Sequence, residues 1–549
     1  MDDNKRLAEL LFPHIKTTAQ QYREEIFPKR QLPEGAMVTR FAPSPTGFLH
    51  IGGVFTSLVN ERCAHQSGGR LILRIEDTDK KREQADGISA ILGGLDGFGI
   101  HFDEGVQMDG EKGDYGPYTQ SHRAEIYQAF CKELVEKGLA YPCFCTEEEL
   151  AEIRKQQELD KALPGYHGKY AKCRELTYEQ IEENIKAGKS YVMRLRSPGK
   201  PGGRIKYKDV IKGQIEMDEN IVDIVLLKSD GIPTYHFAHA VDDSLMGTTH
   251  VIRGDEWVPS VNIHLQLFYV LGMKAPKYAH VAPVMKEEDG SKRKLSKRKD
   301  PEAAVGYFIE EGYPSDSVIE YLLTLANSTY EDWRRQNRDL PYTEYKFRLD
   351  KMGQSGALFD LKKLHSVSAE VISRFDAAKV SELASEWARK YDEELYACLS
   401  ADPKYTEAVF SIDRGGKKPR KDIAKWGDVR GYCPYFFDSL FKREESLEMD
   451  AALQKQVLEA YLGVYDPADG KDEWFDKMKK ICPDLGFASE VKEFKAAEPG
   501  TYRGHVGDVS AVVRMAVTGR KNTPDLHAVM ALLGGEKCTA RIREYMDLI

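Results

Sequence analysis

The sequence predicts an α/β protein that continues into a mainly α-helical C-terminal region. Between about residues 37 and 140, short strand-like runs such as MVTRF and GRLILRIED alternate with helical runs, a pattern typical of a parallel sheet covered by helices. A charged, interrupted stretch over about 141–219 is predicted to be an inserted module, after which DIVLLKSD and THVIRGDEW are predicted to resume the interrupted sheet. Beyond about residue 356 the pattern is mostly helical, as in ALFDLKKLHSV.

Composition indicates a multidomain globular protein. The 549 residues are long for one core, since a domain takes roughly 150 residues. No apolar run approaches the roughly 20 residues that cross a bilayer, and the N-terminus has the features of neither a signal nor a transit peptide. Nine scattered cysteines do not form a disulfide framework. We therefore expect a cytoplasmic protein with no membrane segment.

Charge is unevenly distributed along the chain. The net charge of −9 taken alone argues against a polyanionic partner. Two basic clusters, SKRKLSKRK and RGGKKPRK, interrupt this acidic background. Phosphate affinity depends on the cations close to the contact, so nucleic acid binding stays compatible with the overall charge.

The stretch RFAPSPTGFLHIGGVF places a proline-stiffened turn between a predicted strand and a predicted helix. Such a helix begins at the carboxyl edge of a parallel sheet, where its free N–H groups and dipole favour a phosphate. Gly47, Gly52 and Gly53 permit close approach of a ligand, and His50 could donate to a phosphoryl oxygen. A plain turn with a capping histidine explains the stretch equally well. No dinucleotide or P-loop signature competes with these interpretations.

A second motif, KLSKR at 294–298, follows the turn signal EEDGS. Alone it is a solvated charge run or a basic targeting tract. Together HIGG and KLSKR resemble the two ATP signatures of class I aminoacyl-tRNA synthetases, HIGH and KMSKS. RFAPSPTGFLHIGG, LRIEDTD, GPYTQSHR, LLKSDGIPTYHFAHAVDDSLMG, HVIRGDEW and KLSKRK follow the order found in bacterial glutamyl-tRNA synthetases. This resemblance is strong over about 37–307, looser toward the C-terminus, and does not include the first 36 residues.

The resemblance implies a Rossmann-like class I synthetase core with an inserted domain, followed by a helical anticodon-binding region. The expected divisions are a helical extension (1–36), the catalytic domain (37–140 and 220–275), an inserted acceptor-binding domain (141–219), a stem-contact region with KLSKR (276–355) and the anticodon-binding region (356–549).

Such enzymes activate L-glutamate with ATP and Mg²⁺ to glutamyl adenylate and transfer the glutamyl group to the terminal adenosine of tRNA(Glu). By this similarity His50 would steady the α-phosphate, while Lys294 and Lys297 would hold the departing pyrophosphate. A monomer is usual for the family, and tRNA(Gln) is a further acceptor in some members. The implied ATP-binding residues are Pro43, His50, Gly52, Gly53, Lys294, Leu295, Ser296, Lys297 and Arg298.

A pocket that binds glutamate must provide groups of opposite charge for two carboxylates and one ammonium group. Arg40 and Arg253 suit the carboxylates, because a guanidinium pairs with a carboxylate in a bidentate fashion. Tyr235 would add a hydroxyl and Glu76 would answer the ammonium group. Many relatives have asparagine in place of His239, so the side-chain-carboxylate end is expected to be arranged differently. The implied glutamate-binding residues are Arg40, Ser44, Glu76, Tyr235, His239 and Arg253.

Two further sites are suggested. Cys143, Cys145, Tyr170 and Cys173 resemble the zinc-binding arrangement of some family members, with His167 as an alternative fourth ligand. Ordinary reduced cysteines remain the competing interpretation. RGGKKPRK offers cations to a tRNA, with Lys417, Lys418, Arg420 and Lys421 as the candidates. The aromatic residues of GYCPYFFD are either stacking platforms for bases or core.

Three other functions stay open. A glutaminyl-tRNA synthetase is the nearest, although APSPTG and HIGG are of the glutamyl type. A paralogue that glutamylates queuosine shares the catalytic motifs but lacks an anticodon domain. A non-catalytic tRNA- or nucleotide-binding protein with a decayed site is opposed by the intact His50, Lys294 and Lys297.

Overall fold

The computed structural model describes residues 3–45, 49–79, 87–296, 298–416 and 419–549, and it has the predicted mixed α/β architecture. The chain divides into two compact units. The first comprises Met1–Tyr307 and Leu322–Asp360, and the second comprises Phe308–Tyr321 and Leu361–Ile549. All strands of the described ranges lie in the first unit. No helix of these ranges is long and apolar enough to cross a membrane.

The strands of the first unit are short, with three to six residues each. They are β1 Val38–Phe41, β2 Arg70–Leu73, β3 Glu104–Gln107, β4 Gly110–Lys112, β5 Ala140–Cys143, β6 Val192–Leu195, β7 Arg204–Asp209, β8 Gly213–Asp218, β9 Val225–Leu227, β10 His250–Gly254, β11 Lys277–Val281, β12 Met285–Glu288 and β13 Ser291–Lys294.

The helices up to residue 336 lie before, between and after these strands. They are α1 Asp3–Leu11, α2 Ala19–Gln21, α3 Ile51–Gln66, α4 Gly87–Asp96, α5 Ala124–Glu136, α6 Glu147–Leu159, α7 Tyr178–Lys186, α8 Tyr235–Leu245, α9 Val261–Val270, α10 Val305–Glu311, α11 Ser315–Ala326 and α12 Thr329–Gln336.

Two parallel strand pairs form the centre of the first unit. β1 pairs with β2 through the crossover helix α3, and β10 pairs with β11 through α9. The two pairs are joined where the N–H of Thr249 donates to the carbonyl of Val38 over 3.0 Å. β3 continues the first pair in parallel and β4 closes it as an antiparallel edge. Parallel strands bring their carboxyl ends to one edge, which is where open α/β sheets bind ligands.

The inserted module has its own sheet. β5, β6 and β9 form an antiparallel sheet of three strands, and β7 and β8 form a separate hairpin. β9 lies within DIVLLKSD, which was predicted to resume the main sheet, and this prediction is wrong because β9 pairs with β6. β10, within THVIRGDEW, does lie beside β1. A short apolar run indicates a buried strand without indicating its partner, which explains the error.

The N-terminal segment packs against the rest of the first unit through both apolar and ionic contacts. Ala8 and Leu11 are buried. Arg23 forms a bidentate pair with Glu133 of α5, the closer contact being 2.6 Å, and also donates to the carbonyl of Leu271 over 3.1 Å. Arg30 pairs with both carboxylate oxygens of Glu104 and donates to the carbonyl of Met246 over 2.6 Å. The segment therefore contacts elements that lie far along the chain.

The second unit is helical and has one large apolar core. That core includes Val380, Phe410, Val429, Val513 and Ile542, which are at most 1% exposed. Its helices beyond residue 360 are α13 Leu361–Arg374, α14 Ala377–Tyr391, α15 Glu393–Ala401, α16 Pro403–Ser411, α17 Val429–Tyr432, α18 Ala451–Leu462, α19 Lys471–Ile481, α20 Val491–Ala496, α21 Val506–Thr518, α22 Leu526–Leu533 and α23 Gly535–Leu548.

A charged cluster fixes the C-terminal end of α3 to the sheet. His65 lies between two carboxylates, with Nδ1 2.7 Å from Glu61 and Nε2 3.0 Å from Asp103. Asp103 also accepts from the backbone N–H of Leu71 in β2. Hydrogen bonding to Asp103 and Glu61 raises the pKa of His65 to about 9, even though burial opposes the charge. The imidazolium therefore links the helix to the strand at neutral pH.

This cluster predicts a stability difference that depends on pH. The His65 pKa is about 9 in the folded protein and roughly 6.5 in an unfolded chain, so its contribution is complete below about 6.5 and disappears as the pH rises through about 9. We expect His65→Gln to lower the melting temperature of the first unit clearly at pH 6 and much less at pH 10.

His101→Gln is the matched control, because His101 is an exposed histidine that also lies near a carboxylate, that of Asp96. Exposed pairs contribute little, so this substitution should leave the melting temperature almost unchanged at both pH values. An equal loss for His65→Gln at pH 6 and pH 10 would contradict the assignment.

Candidate active site

A cavity of about 660 Å³ opens at the carboxyl ends of the parallel strands in the first unit. The end of β1, the segment after β2, the start of α8, the end of β10 and the hairpin β12–β13 all contribute to its wall. Most of the residues predicted to bind ATP and glutamate meet here. Those that line the cavity are Arg40, Ser44, His50, Gly52, Gly53, Glu76, Tyr235, Arg253 and Lys294.

His50 caps α3 with its own side chain. The N–H of Gly52 donates to Nδ1 of His50 over 2.9 Å, and the N–H of Gly53 donates to the His50 carbonyl over 2.7 Å. Since Nδ1 is an acceptor, the proton of the neutral ring is on Nε2. The sequence predicted free N–H groups here, but those of Gly52 and Gly53 are used within the turn. What the helix offers a phosphate is its dipole and the His50 ring.

The two glycines of HIGG have steric reasons to be glycine. A Cβ on Gly52 would lie 3.2 Å from Nδ1 of His50, and one on Gly53 would lie 2.9 Å from Cδ1 of Leu49. A side chain at position 52 would press on the capping ring, whereas one at position 53 would displace only the end of the Leu49 side chain. Gly47, the third glycine of the stretch, lies outside the described residues. Pro43 contributes through its backbone, since its carbonyl accepts from the N–H of Glu76 over 3.0 Å.

Asp243, in the last turn of α8, anchors Arg40. Nε of Arg40 donates to its carboxylate over 3.2 Å, and Nη1 of Arg74 donates to the same oxygen over 2.7 Å. Burial alone would raise the pKa of Asp243, but Arg40 and Arg74 hold it well below its usual range. The carboxylate therefore stays ionised in the interior, and it fixes Arg40 by its Nε edge.

Asp242, the neighbouring residue, anchors a second set of side chains. It accepts from Nε of Arg123 over 2.7 Å, from Gln120 over 2.9 Å and from the hydroxyl of Tyr127 over 2.7 Å. Both Asp242 and Asp243 are almost completely buried. Adjacent acids on one helix thus bind partners on both sides of α8.

Glu76 is the acidic group of the cavity that follows β2. It accepts from Nη2 of Arg74 over 3.0 Å and is mostly buried. Burial raises the pKa of Glu76, while Arg74 and Arg40 oppose the rise. A cationic ligand group placed beside Glu76 would favour its ionised form in the same way.

Arg253 and Tyr235 form the opposite side of the cavity. Nη1 of Arg253 donates to the Tyr235 hydroxyl over 3.0 Å, and the Tyr235 ring lies 4.3 Å from the Trp257 ring. Arg253 is only 5% exposed, yet it lines the cavity. A buried guanidinium at a cavity wall is a strong recognition group for a carboxylate.

The structure places His239 behind this wall rather than on it. Its ring stacks against Tyr235 at 6.1 Å and is fully buried. Nε2 lies 3.0 Å from the hydroxyl of Tyr278, and Nδ1 lies 2.7 Å from Asp243. Burial lowers the pKa of His239 to about 3, so the ring is neutral. Its contact with the cavity is through Tyr235.

The KLSKR motif begins at the end of a tight hairpin. The turn residues Asp289 and Gly290 both have positive φ, 50° and 75°, as in the two-residue turns that suit hairpin twist. Lys294 at the end of β13 lines the cavity, whereas the side chain of Leu295 is buried. Arg298 is exposed, and Lys297 lies outside the described residues.

Asp300 holds the backbone of this motif. Its carboxylate accepts from the N–H of Ser296 over 2.9 Å, from both terminal nitrogens of Arg293 and from Lys286. Hydrogen bonding to Arg293 lowers the pKa of Asp300 far below its usual range. The loop therefore has a fixed carboxylate at its base.

Three cysteines meet in the inserted module. The Sγ atoms of Cys143, Cys145 and Cys173 lie within 4.8 Å of one another, and those of Cys145 and Cys173 are 3.7 Å apart. The hydroxyl of Tyr166 is 3.3 Å from Sγ of Cys145. Hydrogen bonding from Cys173 lowers the pKa of Cys143 to about 4, which favours a thiolate.

The tyrosine at this cluster is not the expected one. Tyr170 donates to Asp160 over 2.5 Å, and His167 lies 2.8 Å from the carbonyl of Leu163. Tyr170 and His167 are thus engaged elsewhere, and Tyr166 takes the position predicted for Tyr170. The sequence places two tyrosines in PGYHGKY, and spacing alone does not distinguish them.

The predicted tRNA-binding cations are partly engaged within the second unit. Arg420 pairs with Asp422 over 2.5 Å, and Lys421 pairs with Glu370. Lys417 and Lys418 lie outside the described residues. Tyr435 and Phe436 are buried in the helical core, whereas Tyr432 and Phe437 pack against it from its edge.

Several functional residues were not singled out in the sequence. Asp243 and Arg74 lie inside quoted motifs, and their charge in otherwise apolar stretches was a usable signal. Asp300 and Tyr166 had no such signal, because their roles depend on contacts across turns.

Comparison with known proteins identifies this arrangement. Residues 36–366 match the family described as tRNA synthetases class I (E and Q), catalytic domain, and residues 503–546 match an anticodon binding domain. The chain is 52% identical over 547 residues to a glutamate–tRNA ligase of Clostridium perfringens (strain 13 / Type A), covering 98% of this chain and 100% of that protein.

More distant relatives agree with this result. A glutamate–tRNA ligase of Sorangium cellulosum (strain So ce56) is 46% identical, over 98% of this chain and 100% of that protein. A crystal structure of a glutamate tRNA ligase from Elizabethkingia meningosepticum in complex with its amino acid has a TM-score of 0.73 and 26% identity, covering 94% of this chain and 99% of that one.

A parallel α/β core with a histidine-capped helix and a lysine-bearing hairpin at one cavity defines a class I aminoacyl-tRNA synthetase. Enzymes of this class use ATP and Mg²⁺. Within the class, the chain belongs to the glutamate–tRNA ligase family.

Proposed function

We propose that this chain charges tRNA(Glu) with L-glutamate in two steps. A glutamate α-carboxylate oxygen attacks the α-phosphorus of ATP, the bond to pyrophosphate breaks, and glutamyl adenylate forms. A hydroxyl of the terminal adenosine of tRNA(Glu) then attacks the glutamyl carbonyl, and AMP leaves. The observation that carries the proposal is that the His50-capped end of α3 lines the same cavity as the buried Arg40 and Arg253.

The nucleotide half of the cavity is assigned to α3 and the β12–β13 hairpin. The Nε2–H group of His50 would donate to an α-phosphate oxygen as negative charge develops, and the α3 dipole would favour the same charge. Lys294 would pair with the departing pyrophosphate. For Lys297 this role rests on the sequence resemblance. The chemistry is then mainly positioning and charge stabilisation.

The amino-acid half is assigned to Arg40, Arg253, Tyr235, Ser44 and Glu76. Arg40 is fixed through Nε, so its terminal nitrogens have no protein acceptor in the described part of the chain. A guanidinium held in this way can pair with a substrate carboxylate. Glu76 would pair with the ammonium group of the substrate. This ion pair would offset the cost of burying the charge of Glu76.

The second unit is assigned to the tRNA. We propose that 356–549 reads the anticodon, with the RGGKKPRK cations contacting phosphate. Because Arg420 and Lys421 already have carboxylate partners, a phosphate would have to replace Asp422 and Glu370. We further propose that the enzyme acts as a monomer in the cytoplasm, with tRNA(Gln) as a second acceptor to be tested.

Glutamate-dependent ATP–pyrophosphate exchange tests this function. Purified enzyme would be assayed with no tRNA, with tRNA(Glu) and with tRNA(Gln), each with glutamate or glutamine. We expect exchange with glutamate only when a tRNA acceptor is present, as the family resemblance implies. The tRNA(Gln) arm reports the breadth of acceptor choice.

Each alternative function has its own outcome in this assay. Exchange with glutamate in the absence of tRNA would favour a queuosine-type enzyme, and exchange with glutamine would favour a glutaminyl-tRNA synthetase. No exchange under any condition would favour a non-catalytic binding protein.

Two substitutions of His50 separate its capping role from its catalytic role. His50→Asn keeps an oxygen that can accept from Gly52 N–H but lacks the Nε2 donor, whereas His50→Ala loses both. We expect both variants to lose about 100- to 1,000-fold in exchange rate, since one preorganised donor is removed. Only His50→Ala should also lose stability, by about 1 kcal/mol.

The readouts are exchange rates and melting temperatures measured on the same preparations. Near-normal exchange by His50→Asn would show that the ring acts only as a cap.

We also propose that Cys143, Cys145, Cys173 and Tyr166 hold a structural zinc ion. Tetrahedral zinc with Zn–S bonds of about 2.3 Å requires sulfurs roughly 3.8 Å apart. The 3.7 Å separation of Cys145 and Cys173 agrees with this spacing. We assign the fourth ligand to the hydroxyl oxygen of Tyr166, which lies 3.3 Å from Sγ of Cys145. Such an ion would stabilise the inserted module and take no part in the chemistry.

Elemental analysis of the purified protein tests the zinc site. We expect about one zinc per chain, its loss in Cys145→Ser, and weaker retention against a chelator in Tyr166→Phe. Cys398→Ser is the matched control, because Cys398 lies in the second unit beside Ser439 and should not affect zinc content. A wild-type protein without zinc would remove the site.

A further inference from the structure

Among the residues that the structure describes, Arg253 has no acidic partner, unlike the other buried arginines near the cavity. Arg40, Arg74 and Arg123 each pair with Asp242 or Asp243. In the described ranges of the chain, no carboxylate lies within ion-pair distance of Arg253. The full positive charge of a side chain that is 5% exposed is thus left without a counterion. Such a charge is costly to bury unless a ligand neutralises it.

Neutral acceptors hold this guanidinium instead. Nε donates to Nε2 of His280 over 3.2 Å, Nη1 donates to the Tyr235 hydroxyl over 3.0 Å, and Nη2 donates to Nδ1 of His264 over 3.1 Å. A guanidinium has five N–H donors, so one donor on each terminal nitrogen is left for a ligand. Two donors side by side match the two oxygens of a carboxylate.

His264 is kept in the accepting tautomer by a second histidine. Its Nδ1 accepts from Arg253, so its proton is on Nε2, which lies 2.9 Å from Nδ1 of His236. Burial lowers the pKa of His264 well below its usual range, and the neighbouring His239 and Arg253 act in the same direction. The ring therefore remains a neutral acceptor at physiological pH.

His280 is kept in its accepting tautomer by an acid. Its Nδ1 lies 2.6 Å from Oδ2 of Asp209, so it donates there and leaves Nε2 to accept from Arg253. Asp209 is itself fixed, because its other oxygen accepts from the N–H groups of Ile211 and Lys212. The His280 imidazole therefore lies between the Asp209 carboxylate and the Arg253 guanidinium. Asp209 orients His280, and His280 orients Arg253, without a direct ion pair between Asp209 and Arg253.

We propose that His264 and His280 are positioning residues that orient Arg253 toward a carboxylate of the amino-acid substrate while leaving its charge unneutralised. This inference rests on the proposed function, since it takes glutamate as the ligand of the cavity. A substrate carboxylate would supply the negative charge that Arg253 lacks. An acid in place of either histidine would neutralise Arg253 internally and weaken its attraction for that carboxylate.

Three substitutions of one residue test the proposal. His264→Asn places a neutral oxygen close to the position of Nδ1, His264→Asp places a charged oxygen there, and His264→Leu has similar size without an acceptor. Hydrogen bonds to charged groups contribute about 1.5–3 kcal/mol, so we expect His264→Leu to raise the KM for glutamate about 10- to 100-fold. His264→Asp should raise it at least as much, and His264→Asn by only a few fold.

The assay is tRNA(Glu)-dependent exchange with separate titrations of glutamate and ATP. A positioning role moves the KM for glutamate and leaves kcat and the KM for ATP within a few fold, whereas general damage to the fold changes all three. Equal KM values for glutamate in the Asn, Asp and Leu variants would overturn the proposal. If His264→Leu does not fold, His280→Gln and His280→Leu give the same comparison, because the glutamine oxygen can take the place of Nε2.

The exchange activity of the wild-type enzyme distinguishes a wrong function from a wrong role for the two histidines. Wild-type enzyme without glutamate-dependent exchange would overturn the proposed function and the role of the histidines together. An active wild-type enzyme whose Asn and Leu variants share one KM for glutamate would overturn the role of the histidines alone.

Discussion

The active site depends on two adjacent carboxylates in the last turn of α8. Asp242 and Asp243 are buried, and together they bind Arg40, Arg74 and Arg123. Ions in the interior are tolerated only when each charge has close partners and its remaining hydrogen-bonding capacity is used. Gln120, Tyr127 and Thr248 add neutral hydrogen-bond donors to these two carboxylates. Because these side chains come from separate elements, the cluster ties β1, β2 and α5 to α8.

Charge is divided unequally between the two sides of the cavity. On one side the arginines are matched by acids, and on the other side Arg253 is surrounded by neutral rings. A paired arginine is held rigidly but attracts a further anion less, whereas an unpaired one retains its full attraction at the cost of stability. Functional sites commonly accept such a cost, and other parts of the fold compensate for it.

The fold class and the location of the site could be predicted because the information was local. The HIGG turn, the DG hairpin before KLSKR and the strand-ending RIED each specify their own backbone geometry. What could not be predicted depends on contacts between distant residues. The carboxylate that pairs with Arg40 lies about two hundred positions further along the chain. β9 pairs with β6 rather than with the main sheet, and Tyr166 rather than Tyr170 contacts the thiols. The role of His50 could not be predicted even from local sequence, because the same ring could cap the helix or contact only the ligand.

The N-terminal segment has a consequence for the order in which the molecule forms. Arg23 and Arg30 are made early, yet their partners extend to Met246 and Leu271. At about 5–20 residues per second, the ribosome needs roughly 10–50 s to produce the chain between them. Throughout that time Arg23 and Arg30 lack part of their final set of partners, although α5, on which α1 packs, is made earlier. The segment is therefore synthesised before the rest of the first unit but completes its contacts only once most of that unit exists.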